Sequence, residues 1–276
     1  MAGILTKPTI QAVYITMPVK STDQSWEEWG EREPYFGVIT DPRFRRAALT
    51  AEAKKFFFES GDLHVKYVVG MIKQYLDPSF QLNSVLDFGC GVGRILVPFA
   101  SISTEVVGID VSSSMLLEAR KNCDEHGYSN VRLLISTEKP TLLGGPFDLV
   151  HSYIVFQHIP PYRGLELLKQ LVTHIRPGGV GAFHISYAKT HFSESFGIDP
   201  APQTVEERED RRVEMPDSAT RNGNGDPEMQ MNSYHLNQVF FILQCAGVRR
   251  IHAEFTDHGG EFGLFIFFVT PLDQKK

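Results

Sequence analysis

From residue 63 onward, apolar positions along the chain fall into two alternating patterns. Val65, Val68, Val69 and Ile72 occupy i, i+3, i+4 and i+7, which predicts an amphipathic helix ending near Asp77-Pro78. Residues 84–88 then read as a short buried strand. Residues 92–100 put Ile95, Leu96 and Phe99 on one helical face, and residues 105–110 form a second strand that ends in Asp110. Ser112 caps the next helix, which turns Leu116, Ala119 and Cys123 inward and stops at Gly127. Residues 131–135 and 147–154 are the third and fourth strands. Pro160-Pro161 opens a helix carrying Leu168, Leu171, Val172 and Ile175; Pro177-Gly178-Gly179 ends it, and residues 180–187 are the fifth strand. Leu236, Val239, Phe240 and Leu243 repeat the helical spacing. Strands at 248–255 and 262–269 follow, joined by Asp257-His258-Gly259-Gly260. So short a connection predicts antiparallel neighbours, because parallel strands need a long crossover. Helices alternating with strands predict an α/β fold built on a mostly parallel sheet.

Two segments break the alternation. Residues 1–62 contain the polar aromatic run Trp26-Glu27-Glu28-Trp29-Gly30 and later Phe56-Phe57-Phe58, and are expected to form a helical or irregular cap on a domain spanning 63–276. Residues 189–232 mix Glu206, Glu207, Glu209 and Asp210 with Arg208, Arg211 and Arg212. A connection that long is uncommon in a compact domain, and it reads as a lid-like, substrate-facing insertion.

Composition narrows the partners. The 276 residues are 42% hydrophobic and 22% charged, which is ordinary globular usage. A net charge of -6 gives no general attraction for phosphate backbones or anionic lipid, so neither nucleic acid nor a membrane is an expected partner. The longest apolar stretch, 262–269, is far short of the roughly 20 residues of a bilayer span. Lys7 and Pro8 interrupt the N-terminus before any secretory apolar region, so the expected location is cytoplasmic. Cys90, Cys123 and Cys245 have no metal-ligand spacing, and all three are expected to be reduced and mostly buried.

The most informative segment is Val85-Leu86-Asp87-Phe88-Gly89-Cys90-Gly91-Val92-Gly93-Arg94: a strand, an acid, three alternate glycines, then a helix. Glycines at such a turn allow positive φ and close approach of a ligand, and the helix start offers unpaired N–H groups. A dinucleotide loop needs a third small residue where Arg94 stands. Asp87 would also repel a pyrophosphate, whereas it suits an ammonium. Asp110, at the end of the neighbouring strand, is placed to accept both hydroxyls of a ribose. A nucleoside joined to an amino acid without phosphate describes S-adenosylmethionine.

With these features the chain resembles the class I S-adenosylmethionine-dependent methyltransferases over about residues 63–270. The likeness lies in residues 85–94, in Val107-Gly108-Ile109-Asp110-Val111-Ser112 with Met115, in Phe147-Asp148-Leu149-Val150 followed by Phe156-Gln157-His158-Ile159, and in Arg176-Pro177-Gly178-Gly179. It implies a three-layer, Rossmann-like sandwich whose seven-stranded, mostly parallel sheet has its last strand antiparallel. It also implies that Asp87 and the loop Gly89, Cys90, Gly91 and Gly93 hold the methionine portion of S-adenosylmethionine. Asp110 would take the ribose, and Val111 and Met115 the adenine faces. Many members carry an acid near the adenine at the end of the third strand; this chain has Ser136 and Thr137 there, which could bond the adenine amine instead.

Methyl transfer from a sulfonium is an in-line displacement that can depend largely on positioning. An oxygen acceptor of high pKa would need a base, and His158, in the loop after the fourth strand, is the first candidate. Tyr153, His184 and Tyr187 are candidate contacts to a small-molecule acceptor, saccharide- or natural-product-like, and Tyr234 is a lesser candidate for the base. No metal is indicated. Two alternatives stay open at this point: a nucleotide-dependent oxidoreductase, and a methyltransferase-like domain turned binding subunit.

Overall fold

The computed structural model describes residues 21–136, 144–189 and 225–272. Its centre is one seven-stranded sheet: β1 (Ser84–Phe88), β2 (Glu105–Asp110), β3 (Val131–Ile135), β4 (Phe147–Ser152), β5 (Ile175–Lys189), β6 (Arg250–Asp257) and β7 (Glu261–Val269). The order is β3-β2-β1-β4-β5-β7-β6, with β1 to β5 parallel and β7 antiparallel to both β5 and β6. The expected antiparallel final pair is thus present, and Val85, Leu86, Leu149, Val150, Val180 and Ile266 bury the middle of the sheet almost completely. Strands covered on both faces carry such continuous apolar runs.

Helices cover the two faces. On one side lie α3 (Ala51–Met71), α4 (Leu96–Ile102) and α5 (Ser113–Glu125), whose Val65, Val68, Leu96, Met115 and Cys123 join one core. On the other, α6 (Pro161–Thr173) and α7 (Leu236–Cys245) bring Leu168, Leu171, Val239 and Leu243 into a second. Ser112 caps α5 as expected, its hydroxyl accepting the Met115 N–H at 3.0 Å. Below the sheet Asp148, from the fourth motif, is held structurally: it accepts the N–H groups of Asn83 and Ser84 at 2.8 and 2.9 Å and pairs with Arg176.

Three expectations need correction. The helix expected from residue 63 begins at Ala51, where Thr50 accepts the Ala53 N–H at 3.1 Å, so the boundary drawn after residue 62 falls inside α3. The fifth strand starts at Ile175, ahead of the Pro177-Gly178-Gly179 turn, because Ile175 already pairs with Phe147. Cys90 and Cys123 are buried, but Cys245, in the last turn of α7, is exposed.

The described part of the N-terminal segment is helical: α1 (Thr22–Arg32), α2 (Pro34–Val38) and a short turn at Pro42–Phe44. α1 is nailed at its start by a capping box, Ser21 and Gln24 satisfying each other's backbone N–H. Trp29, Tyr35, Phe36 and Phe44 bury themselves in the first core, so this segment packs as an extension of that layer. Of the expected insertion, residues 190–224 lie outside the described residues.

Candidate functional site

A pocket of about 1020 Å³ opens at the carboxyl ends of β1, β2 and β4, where ligands bind in open α/β sheets. Gly89, Gly91 and Gly93 take φ of 74°, 52° and 91°, the left-handed region that other residues enter at a cost. A Cβ on Gly89 would stand 2.4 Å from Val155, and one on Gly91 2.9 Å from Val38. The loop is thereby folded tightly, its Gly89 and Cys90 N–H groups donating to the Ile109 carbonyl at 2.8 and 3.0 Å. Cys90 turns inward: its buried thiol is pushed well above the usual range by burial, which makes it a packing group.

Asp110 lines the pocket with its carboxylate already oriented. One oxygen accepts the Gly91 N–H at 2.8 Å and the other the Ser112 N–H at 2.9 Å. Each oxygen keeps a second lone pair, so two ribose hydroxyls can still be accepted. Burial pushes this carboxyl up to about 6, against the backbone hydrogen bonds that lower it. Val111 and Met115 line the same end, as does Ser136, whose N–H donates to the Asp110 carbonyl at 2.7 Å. Thr137 lies outside the described residues.

Asp87 is buried on the pocket floor and accepts from Nδ1 of His151 at 2.7 Å. With that nitrogen donating, Nε2 of His151 is left to accept from Nε2–H of His64 at 3.0 Å. The carboxylate is thus held in one orientation from behind.

The pocket wall opposite the glycine loop is the β4–α6 connection. His158 donates from Nδ1 to the Gln230 carbonyl at 2.8 Å, which leaves Nε2 as the unprotonated atom. Burial holds its pKa down at about 4. The connection is clamped from two sides: Thr22 Oγ1 donates to the His158 carbonyl at 2.7 Å, and Asn232 N–H donates to the Gln157 carbonyl at 2.6 Å. Tyr234 does not line this pocket; it is buried and its hydroxyl lies 2.9 and 2.8 Å from the carbonyls of Phe156 and Ile159.

Residues 85–179 match the family model described as "Methyltransferase domain". The matched span contains the glycine loop, Asp110 and His158. Over these residues the chain is similar to a methyltransferase domain.

The chain's sequence relatives are diverse. It is 37% identical over 103 residues to a malonyl-[acyl-carrier protein] O-methyltransferase of Salmonella typhimurium strain LT2, covering 37% of this chain and 39% of that protein. It is 28% identical over 155 residues to the 23S rRNA (uracil(1939)-C(5))-methyltransferase RlmD of Marinomonas sp. strain MWYL1, covering 48% of this chain and 35% of that one. The chain therefore spans little more than a third of the length of these curated relatives. Among solved structures, the N-methyltransferase NodS from Bradyrhizobium japonicum WM9, in complex with S-adenosyl-L-homocysteine, superposes with a TM-score of 0.55 at 15% identity. That match covers 91% of this chain and all of NodS, and it speaks for the fold.

Of the sequence-derived site residues, Asp87, Gly89, Cys90, Gly91, Asp110, Val111, Met115, Ser136, Tyr153 and His158 line one pocket. Gly93 shapes the loop behind it. His184 and Tyr187 lie outside this lining: His184 is buried, bonds Thr256 Oγ1 through Nε2 at 2.8 Å and packs behind the Tyr153 ring, while Tyr187 packs on the second core. Lining residues without a sequence-derived site role include Thr22, Asp23 and Trp26 of α1, Arg94 after the glycine loop, and Arg163 of α6. Trp26 meets the His158 ring edge-on, the centroids 4.9 Å apart, and Asp23 pairs with Arg163 through two contacts of 2.7 and 2.8 Å.

Proposed function

We propose that this protein transfers a methyl group from S-adenosylmethionine to an oxygen or nitrogen nucleophile of a small-molecule acceptor. The observation that carries this reading is the enclosure of the pocket. The glycine loop and Asp110 form its floor, and α1 contributes Thr22, Asp23 and Trp26 as its roof. The acidic chain supplies no phosphate-binding surplus, which favours a small acceptor over the rRNA of one group of relatives. A cytoplasmic setting fits the free cysteines, and no helix among the described residues is long and apolar enough to cross a membrane.

The residues present fit the cofactor. Asp110 offers lone pairs to a ribose, Val111 and Met115 apolar faces to an adenine, and Asp87 a buried negative charge to an ammonium. When bound, S-adenosylmethionine supplies an activated methyl to a nucleophile held in line. The chain's part is then to orient and to exclude water, which α1 and the clamped β4–α6 connection do. His158 is the candidate partner of the acceptor. Its conjugate acid, at about 4, is too acidic for an effective base near neutral pH, so Nε2 serves best as a neutral hydrogen-bond acceptor that orients an incoming O–H or N–H.

Incubation with S-adenosylmethionine and a panel of small hydroxyl- and amine-bearing compounds, followed by mass spectrometry, tests the reaction by the gain of one methylene. His158→Ala should slow turnover of an acceptor so found, by roughly ten- to a hundredfold, and leave cofactor affinity intact. An unchanged rate would confine His158 to holding the loop. Because the imidazole stays neutral down to about pH 4, the rate should show no loss between pH 5 and 8 from this group.

A further inference from the structure

The two edges of the sheet are not alike. β3, at one edge, is five residues long; β6, at the other, has eight and pairs with β7 in unbroken register from Arg250–Val269 to Asp257–Phe262. An edge strand carries a row of N–H and C=O groups without a ladder partner, and monomeric proteins blunt it with a proline, a lysine, a bulge or a cover. β6 contains no proline, lysine or bulge, and among the described residues the only backbone that pairs with it is that of β7. Its side chains divide by face. His252, Glu254 and Thr256 share a face with Phe267, Phe265 and Gly263 and are partly covered: Tyr75 stacks on His252 with centroids 3.8 Å apart, and the Tyr67 hydroxyl donates to Glu254 at 3.2 Å. Ile251, Ala253 and Phe255 lie on the other face, beside Phe268, Ile266 and Leu264 of the second core. All three are exposed, Ile251 by 40% and Phe255 by 81%. An unguarded edge with an open apolar face marks an interaction surface.

The order of residues in β6 identifies what fits it. A second copy can meet this edge antiparallel about a twofold axis that stands normal to the sheet at Ala253. Ile251 then lies opposite the partner's Phe255 on the open face, and His252 opposite the partner's Glu254 on the other. Twofold symmetry makes each of these pairs twice, and the small Ala253 meets its own copy at the axis. Apolar and imidazole–carboxylate pairs directly across strands are the favourable ones. Slipping the register by two residues loses this match. In one direction Glu254 meets Glu254, a like-charge pair; in the other Phe255 falls opposite Arg249, outside the strand. We propose that this chain forms a twofold dimer by pairing β6 with β6 of a second copy, which joins the two sheets into one. β5 and β7 separate this edge from β4, so the pocket at the ends of β1, β2 and β4 stays open, and the proposal is independent of what that pocket binds. A strand edge of about 26 Å is a narrow contact, which places the dimer among reversible associations that dissociate in the micromolar range.

Sedimentation velocity of the whole chain between roughly 1 and 100 µM tests it. The wild-type mass should rise from that of a monomer towards twice that value, whereas Phe255→Lys should stay monomeric throughout with an unchanged melting temperature. The register has its own test. In a Cys245→Ser background, which removes the exposed thiol, Ala253→Cys should cross-link to its own copy under glutathione disulfide, because this register sets residue 253 against itself. Asp257→Cys should not, since its two copies would lie about 27 Å apart. A wild-type chain that remains monomeric over the whole range would overturn the proposal, as would a dimer that survives Phe255→Lys. A dimer in which Asp257→Cys cross-links and Ala253→Cys does not would overturn the register. A monomer that Phe255→Lys destabilises would also overturn the proposal, by assigning this face to packing within the chain.

Discussion

Asp110 shows how much of the site is decided by single residues. Its position at the end of β2 and its two backbone hydrogen bonds orient both oxygens before any ligand arrives. Because burial raises its pKa to about 6, the sign of the pH effect can be worked out. Below that value the free protein holds the proton, and accepting two ribose hydroxyls requires losing it. Cofactor affinity should therefore be flat from about pH 7 upward and weaken as pH falls through 6, by at most about tenfold per unit. Between the unfolded value near 3.8 and 6 the folded state binds more protons, so this group's contribution to unliganded stability declines as pH rises. Titrations at several pH values check this; affinity that is constant down to pH 5 would show that the proton on Asp110 does not compete. Asp87, the glycines and Asp110 were legible because each belongs to a contiguous stretch or to a strand end, where chemistry follows from local position. Arg94 sat in the same stretch but was legible only as a missing third glycine. That it has no ion-pair partner among the described residues depends on what α3 and β4 bring near it, which no local pattern states.

At the scale of elements, α1 has the largest influence on the pocket for its size. Glu27 accepts from the Ser113 hydroxyl at 2.8 Å and the Ser114 hydroxyl at 2.7 Å, and it also meets the Ser114 N–H at the start of α5. Burial raises its pKa, but hydrogen bonds from Ser114, Ser113 and Ser112 outweigh that and hold it below the usual carboxylate range. A carboxylate at a helix N-terminus is also favoured by the helix dipole. Glu27→Ala should cost about 1–2 kcal/mol, lowering the melting temperature by a few degrees, and should speed cofactor release as the roof loosens. Thermal melts and stopped-flow displacement measure both; no change in either would mean that α1 docks through its apolar side alone. The aromatic run at Trp26 and Trp29 was visible in the sequence, but nothing local tells which surface it covers. The start of α3 was missed for a different reason. The apolar spacing used to find it begins only at Val65, while Gly61, a poor helix former, is needed inside the helix so that α3 can lie against the Arg94 carbonyl.

For the molecule as a whole, the order of strands was the most legible property. Seven short apolar runs with a tight final turn leave few arrangements, and the antiparallel β6–β7 pair follows from that turn. What long-range packing adds is the closure of the pocket, with Thr22 at the start of α1 and Gln230, before α7, holding the two sides of the His158 loop. The acidic balance of -6 acquires a local meaning through Asp87 and Asp110, both directed at a single cavity. The central claim is that this cavity takes a nucleoside bearing an amino acid and not a dinucleotide. Calorimetric titration of wild type and Asp110→Ala with S-adenosylmethionine, S-adenosylhomocysteine and NADH tests it most directly. The first two should bind wild type at one site and lose at least about tenfold in Asp110→Ala, with no binding of NADH. Tight NADH binding with no response to the sulfonium, or an Asp110→Ala variant that binds as well as wild type, would contradict it.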